Sequence, residues 1–226
     1  MTSREHEYWT PEPIFRGETV FCLASGPSAT QEVVDKLRGR RTIVVNATCH
    51  LAPWADILFF TDSGFYLHRR DLIRTWPGMV VTMSRMAKRE LPDKVRRVKG
   101  CGAPEFPPRL SGRRPGFPPA GSPEIQQGRT SGHTAVSLAI GLGAARVCLV
   151  GYDMRLAADG REHHHSGEAG YGGPRDLSLY ANEFVPGFNG WRAAAEASGV
   201  EILNCTPGSA LKEFPFADLD EVLEAL

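Results

Sequence analysis

Short apolar runs alternate with segments of helical periodicity along most of the chain. An apolar run that ends at a turn-forming pair, as the first one does at Gly26-Pro27, is typical of a buried strand. Apolar residues that recur every three or four positions are typical of helices packed on one side. The predicted strands are Thr19–Ser25, Thr42–Asn46, Ile57–Thr61, Met79–Met83, Arg146–Val150 and Val200–Asn204. The predicted helices are Thr30–Arg38, Phe65–Trp76, Ser131–Leu142, Leu179–Ser198 with a break near Pro186, and Asp218–Leu226.

This alternation predicts a single α/β domain over residues 1–226, with a Rossmann-like, mostly parallel sheet and helices on both faces. The segment Leu91–Gln127 interrupts the pattern, because it is dense in proline, glycine and arginine. We expect a long irregular insertion there, with one short strand near Arg96–Lys99. Such segments are often functional lids or binding loops, and a poorly ordered surface insertion is the alternative.

Composition narrows the class of protein. The 26 basic and 26 acidic residues cancel, so no overall positive charge favours nucleic acid, although a local basic patch is compatible with this balance. No apolar run approaches the roughly 20 residues that span a bilayer, and residues 1–13 lack the pattern of a secretory signal. The five cysteines are widely spaced without a CxxC pair, which favours reduced thiols. We therefore expect a soluble, cytoplasmic protein without a membrane partner.

Three polar turns follow predicted strands: Ser25–Ser28, Gly151–Asp153 and Asn204–Ser209. In open parallel sheets, ligands bind beyond the carboxyl ends of the strands. The convergence of these turns therefore predicts a ligand site at this edge of the sheet.

The first turn, Ser25–Ser28, lies between a strand and a helix. Gly26 permits close approach of the backbone and a positive φ, and the following helix offers N–H groups to a phosphate. The turn is neither a G-x-G-x-x-G nor a P-loop sequence, which disfavours those two nucleotide-binding classes. Ser28 is expected to cap the helix whether or not a ligand binds.

A second anion site is predicted where Gly128–His133 opens the most regular helix of the chain. Arg129, the hydroxyls of Thr130 and Ser131, and backbone N–H groups occur together at this helix N-terminus. The alternative is that one of the two hydroxyls is an ordinary helix cap. The neighbouring arginine favours the functional interpretation.

Three consecutive histidines, His163–His165, follow the Gly151–Asp153 turn. On an extended backbone His163 and His165 share a face. One of them is a candidate general base, because an imidazole titrates near pH ~6.5. A metal site with Asp153 and simple exposure to solvent are the alternatives. We favour the base over the metal, because no second carboxylate cluster or HExxH spacing supports a metal site.

Val20–Ala29, Gly128–Asp153 and Asn204–Leu211 together resemble, in order and spacing, the bacterial sialyltransferases that use CMP-sialic acid. They resemble more closely a set of tailed-phage proteins. Both groups are similar to the superfamily that includes the archaeal hydroxymethylpterin pyrophosphokinase. The resemblance covers most of the chain outside Leu91–Gln127.

The resemblance implies that the donor substrate is a nucleotide-linked sugar and that no metal or further cofactor is needed. It also implies a set of nucleotide-binding residues. These residues are Ser25, Gly26, Pro27, Ser28, Asn46, Asp62, Thr130, Ser131 and Gly132. The polar turns at the strand ends add Gly151, Asp153 and Thr206 to the predicted nucleotide contacts. In the sialyltransferases, two tyrosines after the Gly-x-Asp motif stabilise the leaving phosphate, and a later histidine is the general base. This chain departs from that pattern, because Tyr152 lies inside the motif and His163–His165 replaces a tyrosine region.

We expect a glycosyltransferase-like transferase that uses a nucleotide-linked donor, with His163 or His165 as general base. Arg129 and the N–H groups at Ser131 and Gly132 would stabilise the leaving group, and Tyr152 is a further catalytic candidate. Two alternatives stay open. One is a pyrophosphokinase-type enzyme that uses ATP and Mg²⁺, and the other is a non-catalytic phage protein for nucleotide binding or assembly.

The expected acceptor is a glycan or a small molecule. A DNA base that carries a hydroxymethyl group is the alternative, because arginines of the insertion would supply phosphate contacts to DNA. Those arginines are Arg96, Arg97, Arg109, Arg113 and Arg114. Assembly into a homo-oligomer is left open.

Overall fold

The computed structural model describes residues 8–101, 116–164 and 177–226. Its strands are β1 Thr19–Leu23, β2 Thr42–Val45, β3 Ile57–Phe60, β4 Met79–Thr82, β5 Val95–Arg97, β6 Lys99–Cys101, β7 Glu124–Gln126, β8 Arg146–Val150 and β9 Glu201–Asn204. Seven of them form one sheet of order β5-β4-β3-β2-β1-β8-β9, and every neighbouring pair is parallel. The predicted α/β class with a mostly parallel sheet is confirmed.

The α-helices are α1 Gln31–Asp35, α2 Ser63–His68, α3 Arg70–Thr75, α4 Arg85–Glu90, α5 Ser131–Gly141, α6 Trp191–Ala197 and α7 Leu219–Glu224. Short 3-10 turns occupy Asn46–His50 and Pro186–Phe188, and a π-helical turn occupies Tyr180–Phe184. Among the helices that the structure describes, none combines the length and the apolar character that crossing a bilayer requires.

Two hydrophobic cores lie on opposite faces of the sheet. Val20 and Cys22 of β1 belong to one core, and the alternate residues Phe21 and Leu23 belong to the other. The first core contains α5, which is buried along its whole length, together with residues of α6. The second contains residues of α1, α2, α3, α4 and α7. Burial on both faces explains why the strands are continuous apolar runs in the sequence.

Two predicted helices are interrupted in the structure. Residues predicted as one helix over Phe65–Trp76 form α2 and α3, which are separated at Arg69 with φ −128° and ψ 22°. The predicted helix Leu179–Ser198 consists of the π-helical turn, the 3-10 turn and α6. Its predicted break is confirmed, since Pro186 begins the 3-10 turn and proline cannot continue a helix.

The insertion Leu91–Gln127 is more regular at its two ends than we expected. Instead of one short strand, its first part contains β5, which joins the edge of the main sheet, and β6. Its last part contains β7, and β6 and β7 pair with each other as a second, two-stranded parallel sheet. These strands have only three residues each, so their apolar pattern is too short to read from sequence. Residues 102–115 lie outside the described part.

Two of the insertion's arginines belong to the sheet edge. Arg96 stacks over the ring of Trp9 at 4.9 Å, and Arg97 lies over the ring of Tyr8 at 4.4 Å. Arg97 is only 9% exposed, and its Nε donates a hydrogen bond to the Met83 carbonyl. Arg97 therefore does not contribute to an exposed positive surface. The other candidate DNA contacts, at 109, 113 and 114, lie outside the described residues.

Candidate functional site

The strand order places a crevice beside β1. From β1 the chain proceeds outward through β2 to β5, and later returns to β8 and β9 on the other side of β1. The strand order therefore reverses between β1 and β8, which is called a switch point. The loops after these two strands run in opposite directions, so they separate and open a cleft, which is the usual ligand site of open parallel sheets. A cleft with a cavity volume of about 110 Å³ lies here. Its lining includes Ser25, Gly26, Asn46, Thr130, Ser131, Gly132, Gly151, Tyr152, Asp153, Met154, Arg155, Glu162, His163, Tyr180 and Phe184.

The turns after β1 and β8 bind each other directly. The Gly26 N–H donates to the Gly151 carbonyl at 2.9 Å, and the Ser28 hydroxyl donates to Asp153 Oδ2 at 2.7 Å. The Ser28 N–H also points to this oxygen, at 3.3 Å. Asp153 is only 5% exposed, so this buried carboxylate holds the two turns together.

Gly26 does not use the positive φ that glycine permits; the glycine is required because a Cβ there would overlap Asp153 and lie 2.5 Å from the Gly151 carbonyl oxygen. One expectation for the first turn is wrong: Ser28 does not cap the first helix, since Thr30 is the N-cap of α1 and accepts from the Val33 N–H. Neither Pro27 nor Ser28 is among the cleft-lining residues.

The N-terminus of α5 forms one wall of the cleft. Thr130 is its N-cap, so the predicted capping role of a hydroxyl at this helix is confirmed. The Ser131 hydroxyl lies 2.7 Å from the hydroxyl of Thr61, and Gly132 lines the cleft beside it. The first N–H groups of a helix have no acceptor within it, and the positive end of the helix dipole favours an anion. This wall is therefore suited to a phosphate.

Arg129 has a different environment from the one expected. Its guanidinium pairs with Glu183 of the π-helical turn, and the two side chains are 9% and 14% exposed. Arg129 is not among the cleft-lining residues. The pair instead anchors the segment that includes Tyr180 and Phe184, at the mouth of the cleft, to the start of α5.

Tyr152 lines the inner wall of the cleft. Its hydroxyl donates to the Gly132 carbonyl at 3.0 Å, and the residue is only 1% exposed. Burial raises the pKa of the Tyr152 phenol well above its usual value, so the hydroxyl stays protonated. Its observed role is to attach the turn after β8 to the first turn of α5.

His133 is a buried histidine that sequence analysis did not single out. Its Nδ1 lies 2.9 Å from the Thr130 hydroxyl, and its ring stacks on Phe188 at a centroid distance of 3.6 Å. Burial lowers the pKa of His133 to about 3; a backbone hydrogen bond with Phe184 opposes this shift, and the charge of Arg129 adds to it. His133 is therefore neutral at physiological pH and supports the end of the cleft by packing.

Of the three consecutive histidines, the structure places His163 in the cleft. Its Nδ1 lies 3.4 Å from the Ser25 hydroxyl, and its Nε2 lies 3.6 Å from Glu162 Oε1. Glu162 in turn accepts a hydrogen bond from the Tyr180 hydroxyl at 3.0 Å. His164 binds elsewhere: its N–H donates to the Ser25 carbonyl, and its Nε2 lies 3.3 Å from the Thr48 hydroxyl.

His165 lies outside the described residues. Glu162 and Tyr180 were not predicted from the sequence. The signal for Glu162 was its negative charge directly before the consecutive histidines. No group of three histidine, cysteine, aspartate or glutamate side chains suited to a metal ion occurs in ranges 8–101, 116–164 and 177–226.

Two residues without glycine's freedom have a left-handed backbone at the cleft. Asn46 and Met154 both have φ of 52°, a conformation that is uncommon for asparagine and rare for methionine. In the described structure, Asn46 Oδ1 is buried without a hydrogen-bond donor. Backbone strain of this kind clusters at functional sites, and a buried oxygen without a donor requires an explanation, of which a bound ligand is one. Asn46 was a predicted nucleotide contact, and its placement in the cleft fits that role.

Two further predicted contacts have structural roles. Asp62 caps α2 by accepting from the Phe65 N–H at 2.7 Å. Thr206 is 1% exposed; its hydroxyl donates to the Leu149 carbonyl and accepts from the Tyr152 N–H. Neither residue is among those that line the cleft.

Arg155 is a cleft cation that sequence analysis did not identify. It lines the cleft, and its guanidinium donates to two backbone carbonyls, those of Gly208 at 2.6 Å and Leu156 at 3.4 Å. It has no carboxylate partner in the described part of the chain. The available signal in the sequence was its position: Arg155 comes two residues after Asp153, directly behind the predicted turn that follows β8.

No protein-family model matches this chain, and no curated protein sequence matches it. Among solved structures, it is similar to the sialyltransferase CstII from Campylobacter jejuni, studied in complex with a substrate analogue, cytidine-5'-monophosphate. The TM-score is 0.55, the identity is 13%, and the match covers 89% of this chain and 85% of CstII. At this identity the likeness shows a sialyltransferase-like fold. The resemblances to phage proteins and to the pyrophosphokinase stay predictions.

Proposed function

We propose that this chain is a glycosyltransferase-like enzyme that binds a nucleotide-linked donor in the cleft beside β1. The observation that carries the proposal is the position of this cleft at the switch point of the sheet, where the N-terminus of α5 meets the turns after β1 and β8. The similarity of fold to CstII, a sialyltransferase studied with cytidine-5'-monophosphate, supports the same class of ligand.

The charges of the cleft support a phosphate between α5 and Arg155. The N–H groups at Ser131 and Gly132 provide dipolar stabilisation, and Arg155 provides a charged donor that forms an ion pair with no carboxylate of the described chain. These groups replace Arg129 in the proposed stabilisation of the leaving phosphate, since Arg129 pairs with Glu183. The proposed reaction uses neither a metal nor a further cofactor.

His163 is the proposed general base. It lies in the cleft beside Ser25, and Glu162 on its other ring nitrogen orients the imidazole. An acceptor hydroxyl that enters through the open mouth would give its proton to this ring. We propose a glycan or a small molecule as acceptor, because one of the arginines expected to contact DNA, Arg97, is buried at the sheet edge.

Donor binding is tested by thermal shift and calorimetry with CMP, UDP, GDP, ADP and their sugar derivatives. A ligand at 100 times its dissociation constant adds about 2.7 kcal/mol to the native state. Arg155→Gln should weaken binding of the best ligand about ten- to hundredfold, the effect of losing a charged hydrogen bond. The matched control is Arg161→Gln in the same loop, because Arg161 pairs with Asp159 and is not among the cleft-lining residues. Absence of a shift with every nucleotide would overturn the proposal.

Turnover of the identified donor tests the reaction. His163→Ala should lower turnover by about a hundredfold or more and leave donor affinity nearly unchanged. His164→Ala is the matched control, because His164 contacts Thr48. Activity that vanishes with a chelator and returns with Mg²⁺ and ATP would instead support a pyrophosphokinase-type enzyme. Binding without any turnover would support a non-catalytic protein.

A further inference from the structure

The cleft contains a serine, a histidine and a carboxylate in series. Ser25 Oγ lies 3.4 Å from His163 Nδ1, and His163 Nε2 lies 3.6 Å from Glu162 Oε1. The Tyr180 hydroxyl donates to the same glutamate oxygen at 3.0 Å, which fixes the carboxylate. All four residues line the cleft. A hydroxyl next to an imidazole, with a carboxylate orienting the other side of the imidazole, makes up an activated serine nucleophile.

Two other contacts between a hydroxyl and an imidazole do not have this character. Thr130 contacts His133, but that imidazole is fully buried and its pKa is lowered to about 3, so it cannot accept a proton near neutral pH. Thr48 contacts His164, but Thr48 is completely buried and is not among the cleft-lining residues. Of these three contacts, the one at Ser25 combines an open cleft with a carboxylate on the second ring nitrogen.

We propose that Ser25 is a nucleophile that cleaves carboxylic esters, with His163 as its general base and Glu162 as a positioning residue. This activity goes beyond the proposed glycosyl transfer and requires no nucleotide. A proton on Nε2, facing Glu162, leaves Nδ1 as the acceptor that faces the Ser25 hydroxyl. Such contacts are often long in ligand-free enzymes and shorten when the substrate binds.

The reaction proceeds in two balanced steps. Ser25 Oγ attacks the ester carbonyl carbon while its proton moves to His163 Nδ1; the carbon–oxygen bond to the alcohol then breaks, and the departing oxygen takes that proton. Water next attacks the acyl-serine and gives a proton to the same nitrogen. The bond to Ser25 Oγ breaks, the serine regains its proton, and a carboxylic acid is released. The N–H groups of α5, where Ser131 and Gly132 line the same cleft, are the donors available to the carbonyl oxyanion.

Covalent labelling of the full chain with an alkyl fluorophosphonate tests the nucleophile without nucleotide. A bond from Ser25 Oγ to phosphorus forms, fluoride leaves, and His163 takes the proton. We expect one phosphonyl group per chain, located on Ser25 by peptide mass spectrometry and absent from Ser25→Ala. His163→Ala should slow labelling about a hundredfold, the scale of a lost general base. The matched control His164→Ala should label at the wild-type rate.

Hydrolysis of 4-nitrophenyl acetate tests Glu162 as a positioning residue. Glu162→Gln keeps the shape of the side chain, so kcat should fall about tenfold or more while KM and the melting temperature stay at wild-type values. This near-isosteric variant also carries the test if His163→Ala does not fold. The proposal is overturned if folded wild-type protein is not labelled, if the label is on another residue, or if neither variant at 162 or 163 slows the reaction.

Discussion

Gly26 and Asp153 are packed so closely that Gly26 has no room for a side chain. A Cβ at position 26 would overlap Asp153 Oδ2 and come within 2.5 Å of the Gly151 carbonyl oxygen. The same Asp153 oxygen accepts the Ser28 hydroxyl and lies 3.3 Å from the Ser28 N–H. The turn after β1 and the turn after β8 therefore keep their shape only together.

Gly26→Val should lower the free energy of unfolding by about 1–3 kcal/mol, the usual effect of inserting carbon atoms into a filled space. It should also abolish nucleotide binding, because Asp153 must move and the cleft wall moves with it. Urea unfolding and calorimetry measure the two effects. Gly116→Val is the matched control, since a Cβ at Gly116 meets no atom of the described residues within 4 Å. A Gly26 variant with wild-type stability would show that the two turns can move apart without any loss in the free energy of unfolding.

Asn46 combines a left-handed backbone with a buried carbonyl oxygen that has no donor in the described structure. Asn46→Gly should fold with nearly wild-type stability, because glycine adopts φ of 52° freely, and should bind nucleotide about tenfold more weakly. Asn46→Ala should lose the same affinity but be less stable than the glycine variant by about 1 kcal/mol, because alanine is strained there. Unchanged affinity in both variants would remove Asn46 from the ligand site.

The buried pair Arg129–Glu183 should contribute to stability far more than an exposed pair. Arg129→Met and Glu183→Leu should each lower the free energy of unfolding by about 3–5 kcal/mol, since each removes one member of a buried ion pair. The double variant should lose much less than the sum. Arg192→Met is the control, because Arg192 and Glu196 are 54% and 58% exposed and such pairs contribute about 1 kcal/mol or less. Additive losses in the double variant would show that the pair is not coupled.

His133 should make the protein less stable in acid. Its pKa in the folded chain is lowered to about 3, mainly by burial, whereas an unfolded histidine titrates near pH ~6.5. Between these values the unfolded chain binds a proton that the folded chain does not. The free energy of unfolding should therefore fall as the pH falls from 6.5 towards 3, by up to about 1.4 kcal/mol per pH unit from this group.

Urea unfolding at several pH values measures this dependence. His133→Asn keeps a polar atom near the position of Nδ1 and cannot take up the proton. The free energy of unfolding of this variant should therefore fall less steeply with falling pH, by the contribution of His133. His50→Gln is the matched substitution at an exposed histidine. Equal slopes for the wild type and His133→Asn would mean that His133 is accessible to protons in the folded state.

The sequence predicted the architecture because local patterns carry it. Continuous apolar runs marked β1, β2, β3, β4, β8 and β9 as strands buried on both faces, and their alternation with helices implied a parallel sheet. The carboxyl ends of parallel strands share one edge, so the turns at Ser25–Ser28 and Gly151–Asp153 were expected to meet, and they do. One short strand was predicted near Arg96–Lys99, but the pairing of β6 with β7 was not, because a three-residue strand such as β6 forms only when its partner is in place.

The roles of individual charges in the cleft were decided by tertiary structure. Arg129 at a helix N-terminus looked suited to a phosphate, but Glu183, 54 positions later, pairs with it. Arg155 becomes the cleft cation because Gly208, 53 positions away, supplies the carbonyl that holds it. Among the consecutive histidines, His163 faces Ser25 whereas His164 faces Thr48, a difference set by how the loop crosses the ends of β1 and β2. Sequence periodicity determines which faces are buried, but the partner of a side chain depends on which distant segments the fold brings beside it.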